Sequence, residues 1–230
     1  MACILSIESS TQAGSVAVSI DGKLVWNKEN TEFFSHAAVM GSYIVEATRF
    51  IQANHFRLDA VAVSEGPGSY TGLRIGLSLA KGLCFGWDVP LIALPTLKIM
   101  AARFSPSSSY LCPMIDARRM EVYSALYDGN LNEIAPVRAI IIDENSFRDW
   151  LDQKEIIFFG TGADKCKAII RSSNAVFMDG IFPAASNMSG EAEKAFMKKA
   201  FSDVAYFEPT YLKEFQATIP KNKVIPIVKA

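Results

Sequence analysis

The chain has 230 residues, half of them hydrophobic, with a formal net charge of −1 and a pI near 6.2. That length can bury a substantial core, in one large domain or in two of about 100 residues. No run of about 18 uninterrupted apolar residues exists, so we expect neither a membrane span nor a signal peptide, and a cytoplasmic location. The near-neutral charge argues against autonomous high-affinity RNA binding, which depends on neutralising phosphates.

Cysteine and histidine give no pattern for a metal or a disulfide framework. The four cysteines are scattered without a Cys-x-x-Cys pair, so we expect reduced thiols buried as small hydrophobes. His36 and His55, the two histidines, are too far apart to share a helical turn, so the His-x-x-x-His pair of a metallopeptidase is missing. The sequence therefore predicts no metal site.

The first hundred residues predict a β-meander, which is followed by alternating helices and strands. Asp21-Gly22 is a hairpin turn between the second and third strands of the meander. Apolar residues at helical spacing predict a helix over 35–54, and an apolar run predicts a strand over 58–63. The remaining predicted elements here are strands 3–7, 14–20, 23–26 and 91–94, and helices near 71–86 and 96–103.

Residues 66–76, which follow the strand at 58–63, are the most constrained stretch of the chain, with four glycines and a proline. Such a strand-to-helix turn can hold an anion on its backbone N–H groups, with Ser69 or Thr71 as the helix cap. Alternatively, the glycines permit close backbone packing or the docking of a partner helix, since the small residues of the helix share one face. The run matches neither a phosphate-cradling loop nor a dinucleotide fingerprint.

A polar stretch at residues 104–109 is the best candidate for a boundary, because the first pattern then recurs. A strand at 111–115 ends at Asp116, a second strand spans 120–127, and Asp128-Gly129 repeats the hairpin turn. Strand 156–159 leads into Gly-Thr-Gly-Ala at 160–163, with helices expected around 164–171 and 189–201. The repetition indicates a duplicated fold.

Four stretches, in order, resemble the bacterial TsaB (YeaZ) family. Residues 64–76 look like its signature, which usually has Phe where this chain has Tyr70. Residues 4–11, 116–123 and 208–213 resemble other stretches of that family, so the resemblance covers nearly the whole chain. Two departures stand out: Glu8 occupies a position that is usually Asp, and Lys213 one that is usually Arg.

The resemblance implies an α/β fold with two actin-like (ASKHA or ribonuclease H-like) lobes, each a mixed sheet flanked by helices. We place the N-terminal lobe, with the partner-docking helices, at residues 1–104, and the C-terminal lobe with its tail at residues 105–230. The implied role is that of a non-catalytic accessory subunit, not an enzyme itself. It would bind and activate a TsaD-type transferase paralogue that transfers threonylcarbamoyl to adenosine 37 of tRNA.

The resemblance also implies partners. A TsaE-type ATPase joins the assembly, the chain alone forms a homodimer, and tRNA is contacted mainly through the partners. In this family the first two helices form the surface for the homodimer or for the TsaD paralogue, and small side chains let a foreign helix approach. We therefore predict the following interface residues: Met40, Tyr43, Ala47, Gly72, Gly76 and Ala80.

A degenerate nucleotide site is the remaining implication, because actin-like ATPases bind phosphates at the ends of such strands. The stretch Ala-Arg-Arg at 117–119 places two bulky cations where a phosphate loop needs small residues. These arginines can still pair with phosphate, but a surface charge cluster or an internal salt-bridge pair fits them better. We expect no cofactor to be required by this chain, and ATP or ADP at the partner interface stays an alternative. The predicted vestigial contacts are Glu8, Ser10, Thr11, Asp116, Gly160 and Gly162.

Other functions stay open at this point. A stand-alone actin-like ATP-binding hydrolase is the main alternative to the accessory role. Glu8 and Asp116 stand at equivalent strand ends, where they either cap a turn, form salt bridges or act as an acid and base pair. A metal-dependent peptidase would need bound zinc or iron.

Overall fold

The computed structural model describes residues 2–30 and 36–213, which form two mixed five-stranded sheets. In the first sheet the order is β3-β2-β1-β4-β5. Strands β1, β2 and β3 are joined as antiparallel neighbours, and β4 and β5 run parallel to β1. The strands are β1 (Cys3–Glu8), β2 (Gly14–Ile20), β3 (Lys23–Asn30), β4 (Ala60–Gly66) and β5 (Leu91–Pro95).

The second sheet repeats this arrangement, with the order β10-β9-β6-β7-β8. Its central strand β6 pairs antiparallel with β7 on one side and parallel with β9 on the other, as β1 does with β2 and β4. The duplicated pattern that the hairpin turns predicted is therefore confirmed. The strands are β6 (Tyr110–Asp116), β7 (Glu121–Tyr127), β8 (Glu133–Ile141), β9 (Ile156–Phe159) and β10 (Ala175–Met178).

Helices cover these sheets. In the first lobe, apolar side chains of α1 and α2 pack on one sheet face, while α3 and α5 contribute to the core on the other. Ser69 caps α2 by accepting a hydrogen bond from the Gly72 N–H at 3.2 Å, as one of the two predicted caps. The helices are α1 (His36–Ala53), α2 (Tyr70–Trp87), α3 (Thr96–Ala102), α4 (Arg148–Leu151) and α5 (Ser189–Met197).

One helix expected in the second half of the chain is wrong. The helix predicted at 164–171 is reduced to a 3-10 turn at Asp164–Cys166, although Cys166 and Ile170 still enter the core. The spacing of these two residues therefore reflects burial and not a continuous helix. Helix α5 and the residues after it return to pack on the first sheet, while the predicted division at residues 104 and 105 stays a prediction.

That returning segment, residues 198–213, is called the C-terminal strap below. The Ser202 N–H donates to the Leu91 carbonyl at 2.8 Å, and the Thr210 N–H donates to the Glu65 carbonyl at 2.7 Å. The strap ends at Lys213, which forms an ion pair with Glu121 of β7. It therefore contacts the first lobe along its length and the second lobe at its end.

Two further sequence expectations concern the chain as a whole. The four cysteines are free and buried, as expected. No helix in the described part of the chain is long and apolar enough to cross a bilayer.

Candidate functional site at the strand ends and the first two helices

The glycine-rich run packs against the turn that follows β1. The Ser69 N–H donates to the Ser10 carbonyl at 2.6 Å, and the Ser9 hydroxyl donates to the Gly72 carbonyl at 2.8 Å. A Cβ atom at Gly68 would collide with the backbone of Ser10, and one at Gly72 would collide with the Ser9 carbonyl. The glycines therefore serve close backbone packing within the lobe, and the Ser69 amide is already occupied.

The helix residues predicted to face a partner are mostly inside the first lobe. Tyr43 is half-buried, with the Lys28 ammonium 4.9 Å from its ring centroid. The other five are buried because the apolar stripes of α1 and α2 supply the lobe's own core, so placing them on a docking surface was wrong. These five are Met40, Ala47, Gly72, Gly76 and Ala80.

Other apolar side chains on these two helices do reach the surface. Phe85 in α2 is 88% exposed, Val45 in α1 is 47% exposed, and Trp87 at the end of α2 is 36% exposed. A contiguous exposed apolar patch marks an interaction surface, whereas apolar side chains scattered singly are normal. The two helices therefore expose apolar side chains, and these are not the residues that the sequence predicted.

Glu8, at the end of β1, is completely buried. Its Oε1 atom accepts the Ser10 N–H at 2.6 Å, whereas Oε2, like the nearby Thr11 hydroxyl, has no hydrogen-bond partner among the described residues. Burial raises the pKa of Glu8 above its usual range, and hydrogen bonds from Ser10 offset this only in part. The environment therefore favours the neutral acid.

Asp116 holds the equivalent position at the end of β6 and has the opposite environment. It is exposed and forms an ion pair with Lys165. Its Oδ1 atom also accepts the Arg118 N–H at 2.9 Å, and its own N–H donates to the Thr161 hydroxyl at 3.1 Å. Asp116 therefore acts as a turn cap and salt-bridge partner, one of the alternatives that the sequence left open.

The glycines after β9 pack against β6. Gly160 has φ +105°, and a Cβ atom there would collide with the Met114 carbonyl. The Gly162 N–H donates to that same carbonyl at 3.0 Å, and a Cβ at Gly162 would lie 2.9 Å from the Val122 side chain. These positions need glycine for strand packing, whatever else the loop does.

Together these contacts test whether the strand ends fit the phosphates of a nucleotide. A phosphate site needs free backbone N–H groups and room for the anion. The glycine run occupies the turn after β1, and Lys165 with two arginines occupies the turn after β6. Neither turn offers the open backbone cradle that the phosphates of a nucleotide need, although the arginine side chains after β6 are exposed and can meet a phosphate from outside. The predicted nucleotide contacts stay a prediction. Within the described ranges, no three His, Cys, Asp or Glu side chains converge as a metal site.

Sequence reasoning missed two contacts at this end of the molecule. Lys165 comes 49 residues after the Asp116 that it pairs with, and nothing local marks it. The strap places Tyr211 against α2, where the ring centroids of Tyr211 and Tyr70 are 4.8 Å apart and the Arg74 Nε donates to the Tyr211 hydroxyl at 3.2 Å. Residues 208–213 were part of the family resemblance, so the sequence did mark this segment. It did not indicate that the segment contacts α2.

The first comparisons are of sequence. Residues 34–221 match a family model described as TsaD, tRNA N6-adenosine threonylcarbamoyltransferase. The tRNA threonylcarbamoyladenosine biosynthesis protein TsaB of Escherichia coli (strain K12) is 30% identical over 223 residues, which is 91% of this chain and 94% of the relative. The protein of the same name from Bacillus subtilis (strain 168) is 32% identical over 171 residues, covering 70% and 72%.

Solved structures agree on the fold. YeaZ from Pseudomonas aeruginosa superposes with a TM-score of 0.78 at 24% identity, covering 92% of this chain and 100% of that one. A Pseudomonas aeruginosa protein described as similar to peptidase YEAZ gives a TM-score of 0.80 at 23% identity, covering 93% and 100%. The two five-stranded sheets have the two-lobed actin-like architecture that the resemblance implied. On sequence, with the fold in agreement, this chain belongs to the TsaB family.

Proposed function

We propose that this chain is a non-catalytic accessory subunit for threonylcarbamoyl transfer to adenosine 37 of tRNA. In this role it binds and activates a TsaD-type transferase paralogue in the cytoplasm, where a TsaE-type ATPase joins the assembly. The names of the relatives support a role in this pathway, and the family model is that of the transferase. Without its partners the chain forms a homodimer.

The observation that carries the accessory role is that neither strand-end turn has an open backbone cradle for the phosphates of a nucleotide. In open α/β folds, ligands bind outside the carboxyl ends of the strands. Here the glycine run packs on Ser9 and Ser10 after β1, and Lys165 pairs with Asp116 after β6. This arrangement favours assistance to chemistry performed elsewhere over a stand-alone actin-like hydrolase. The chain requires no cofactor of its own in this proposal, and ATP or ADP at the partner interface stays an alternative.

The docking surface in this proposal is the exposed side of α1 and α2. The buried residues of those helices are packed in the core, so we assign the docking role to the exposed Val45, Phe85 and Trp87 instead. Phe85 is the best anchor, because an aromatic ring exposed to 88% loses the most water-contacting area on binding.

Sedimentation velocity of the full chain with the TsaD-type paralogue tests this surface. Phe85→Ser should weaken association at least tenfold, equivalent to about 1.4 kcal/mol, with an unchanged midpoint of urea unfolding. Ile141→Ser is the matched control, since Ile141 is 73% exposed but lies on β8 in the other lobe. Equal binding by both variants would exclude the helix pair as the docking site. Runs without the paralogue report the homodimer.

The hydrolase alternative has its own test. Magnesium-dependent ATP turnover by the isolated chain, lost in both Glu8→Ala and Asp116→Ala, would favour it over the accessory role. We expect no turnover above the background of a matched preparation of either variant.

A further inference from the structure

The hairpin between β6 and β7 carries two adjacent arginines. Arg118 and Arg119 are exposed and have left-handed backbones, with φ of +72° and +53°. Neither guanidinium forms a hydrogen bond or an ion pair with any residue in the described ranges. Both cations are therefore available to an external anion.

The carboxylates beside these arginines are already neutralised. Asp116 precedes the hairpin and pairs with Lys165, while Glu121 follows it and pairs with Lys213 of the strap. Each carboxylate thus has its own lysine, which leaves the two arginines as a surplus of positive charge. An approaching anion meets little local repulsion here, although the whole chain has a net charge of −1.

Lys165 also holds the hairpin in one conformation. Its ammonium donates to the carbonyls of Arg119 and Glu121, at 2.7 Å each. The Ala117 N–H donates to the Glu121 carbonyl at 3.0 Å, which closes the turn. Because the backbone is fixed in this way, binding an anion does not add the cost of ordering the hairpin backbone to the other costs of association.

The strap links the hairpin to aromatic rings and to a third exposed arginine, whose Nε donates to Tyr211 and which has no carboxylate partner in the described ranges. The Arg74 guanidinium lies 4.0 Å from the Tyr70 ring centroid, and Tyr70 packs on Tyr211. Lys213, two residues after Tyr211, is 6.0 Å from the Tyr123 ring centroid and reaches Glu121 beside the hairpin. Guanidinium groups interleaved with partly exposed aromatic rings are typical of surfaces that bind unpaired nucleotides.

We propose that Arg118, Arg119 and Arg74 bind phosphates of the tRNA directly, so that this chain adds its own contact to those made by its partners. Guanidinium groups bind phosphate oxygens in a bidentate manner, and fixed cations are the main source of RNA affinity. The low net charge makes this contact weak in the isolated chain and useful in the complex. The proposal rests on the proposed function, which supplies tRNA as the substrate.

Fluorescence anisotropy tests this with the assembled complex and an unmodified transcript of a tRNA that reads codons beginning with A. The double variant Arg118→Gln/Arg119→Gln should lower the slope of log affinity against log salt by about two, roughly one per lost phosphate contact. Arg74→Gln should lower it by about one more. Arg118→Lys/Arg119→Lys should retain the slope of the wild type. The control, Arg57→Gln/Arg138→Gln, removes the same charge from exposed positions elsewhere and should change nothing.

Two outcomes would overturn the proposal. One is a binding result that does not single out the two arginines: either the double variant keeps the salt slope and the affinity of the wild type, or the control variant loses as much of the slope as the double variant does. The other is loss of the complex itself on sedimentation, which would make the hairpin a protein-docking surface. The same mixtures report tRNA modification. If tRNA modification requires the chain but the double variant binds tRNA as the wild type does, only the proposal of direct phosphate contacts is wrong. If tRNA modification does not require the chain, the proposed accessory function is wrong.

Discussion

The two lobes use one backbone arrangement with opposite electrostatics. After β1 the turn is buried, with Glu8 in a neutral-favouring site and the glycine run packed on Ser9 and Ser10. After β6 the equivalent turn is exposed, with Asp116 paired to Lys165 and two arginines at its tip. The first turn is thus part of the core, and the second is part of the surface.

Because of this difference, we expect the turn after β1 to affect stability and the turn after β6 to affect recognition. A buried strand end is destabilised by substitutions that enlarge a side chain, because the surrounding backbone atoms cannot move away from an added carbon. Exposure of the other strand end leaves its charges available to a ligand. Substitutions in the two turns should therefore differ in kind.

The largest effect should come from the first turn. Gly72→Ala places a Cβ against the Ser9 carbonyl, so we expect the free energy of unfolding to fall by about 3 kcal/mol, the upper end of overpacking costs. Urea denaturation measures it. Gly82→Ala is the control, since a Cβ at Gly82 has no atom within 4 Å and lies in the same helix, and it should gain about 0.5–1 kcal/mol. A neutral Gly72→Ala would show that the turn is not tightly packed.

Glu8 tests whether the first turn buries a neutral acid. Burial raises its folded-state pKa, so folding takes up a proton, and the stability that Glu8 contributes is full at low pH and declines as pH rises above the ordinary glutamate range. Glu8→Gln should remove this decline and be more stable than the wild type at pH 8 by about 2 kcal/mol, because the amide has no charge to desolvate in the buried site. The difference should shrink as the pH falls toward the ordinary glutamate range.

Denaturation curves recorded from pH 5 to pH 8 measure this difference. Glu133→Gln, at an exposed position in β8, provides the control and should follow the wild type throughout. A Glu8→Gln variant that parallels the wild type at every pH would mean that Glu8 is charged in the folded protein, and the contrast between the turns would disappear.

A smaller effect is expected at the second turn. Lys165→Met leaves Asp116 and the carbonyls of Arg119 and Glu121 without their lysine, all near solvent that can replace it. We expect a loss of about 1 kcal/mol, with faster hydrogen exchange confined to residues 117–121. Lys167→Met removes a more exposed lysine that pairs with Asp164 and Asp179, and it should change neither quantity. Global loss of protection would make the second turn part of the core.

The smallest effect is expected for the cysteines, whose thiols should not react with a thiol reagent while the protein is folded. Burial raises the pKa of Cys84 and Cys166 to about 11 and that of Cys112 to about 12, so thiolate is scarce at pH 8. An aromatic disulfide reagent should therefore modify thiols only as the protein unfolds. Mass spectrometry then distinguishes the lobes: Cys84 and Cys112 labelled at different rates would mean that the lobes open separately. Rapid labelling of any thiol in the native protein would contradict its burial.

Local patterns predicted the first sheet and the two long helices well, but in the second sheet they missed β10 and gave no bounds for β8. The paired Asp-Gly turns indicated the duplication, and the run at residues 66–76 was correctly placed between a strand and a helix. The patterns could not predict which partner covers an apolar face. Apolar periodicity predicts that a face of α2 is covered, but whether Gly76 meets its own lobe or a partner depends on Ser9, which lies far away in the sequence.

The candidate site was harder to predict than the fold for the same reason. Glu8 and Asp116 were recognised as equivalent strand ends, yet their opposite environments arise from distant groups: the glycine run in one case and Lys165 in the other. The strap is a third example, because its ion pair joins Lys213 to Glu121, 92 residues earlier. Lysine at position 213, where the family resemblance leads one to expect arginine, still makes this charged contact.

Reconstituted tRNA modification tests the accessory role most directly. The mixture contains the TsaD-type transferase, the TsaE-type ATPase, the adenylate-forming enzyme and unmodified tRNA, with and without this chain. We predict that threonylcarbamoyladenosine forms only when the chain is present, and that Glu8→Gln supports the same amount. Equal modification in the absence of the chain, with active partners, would contradict the account and favour the stand-alone hydrolase.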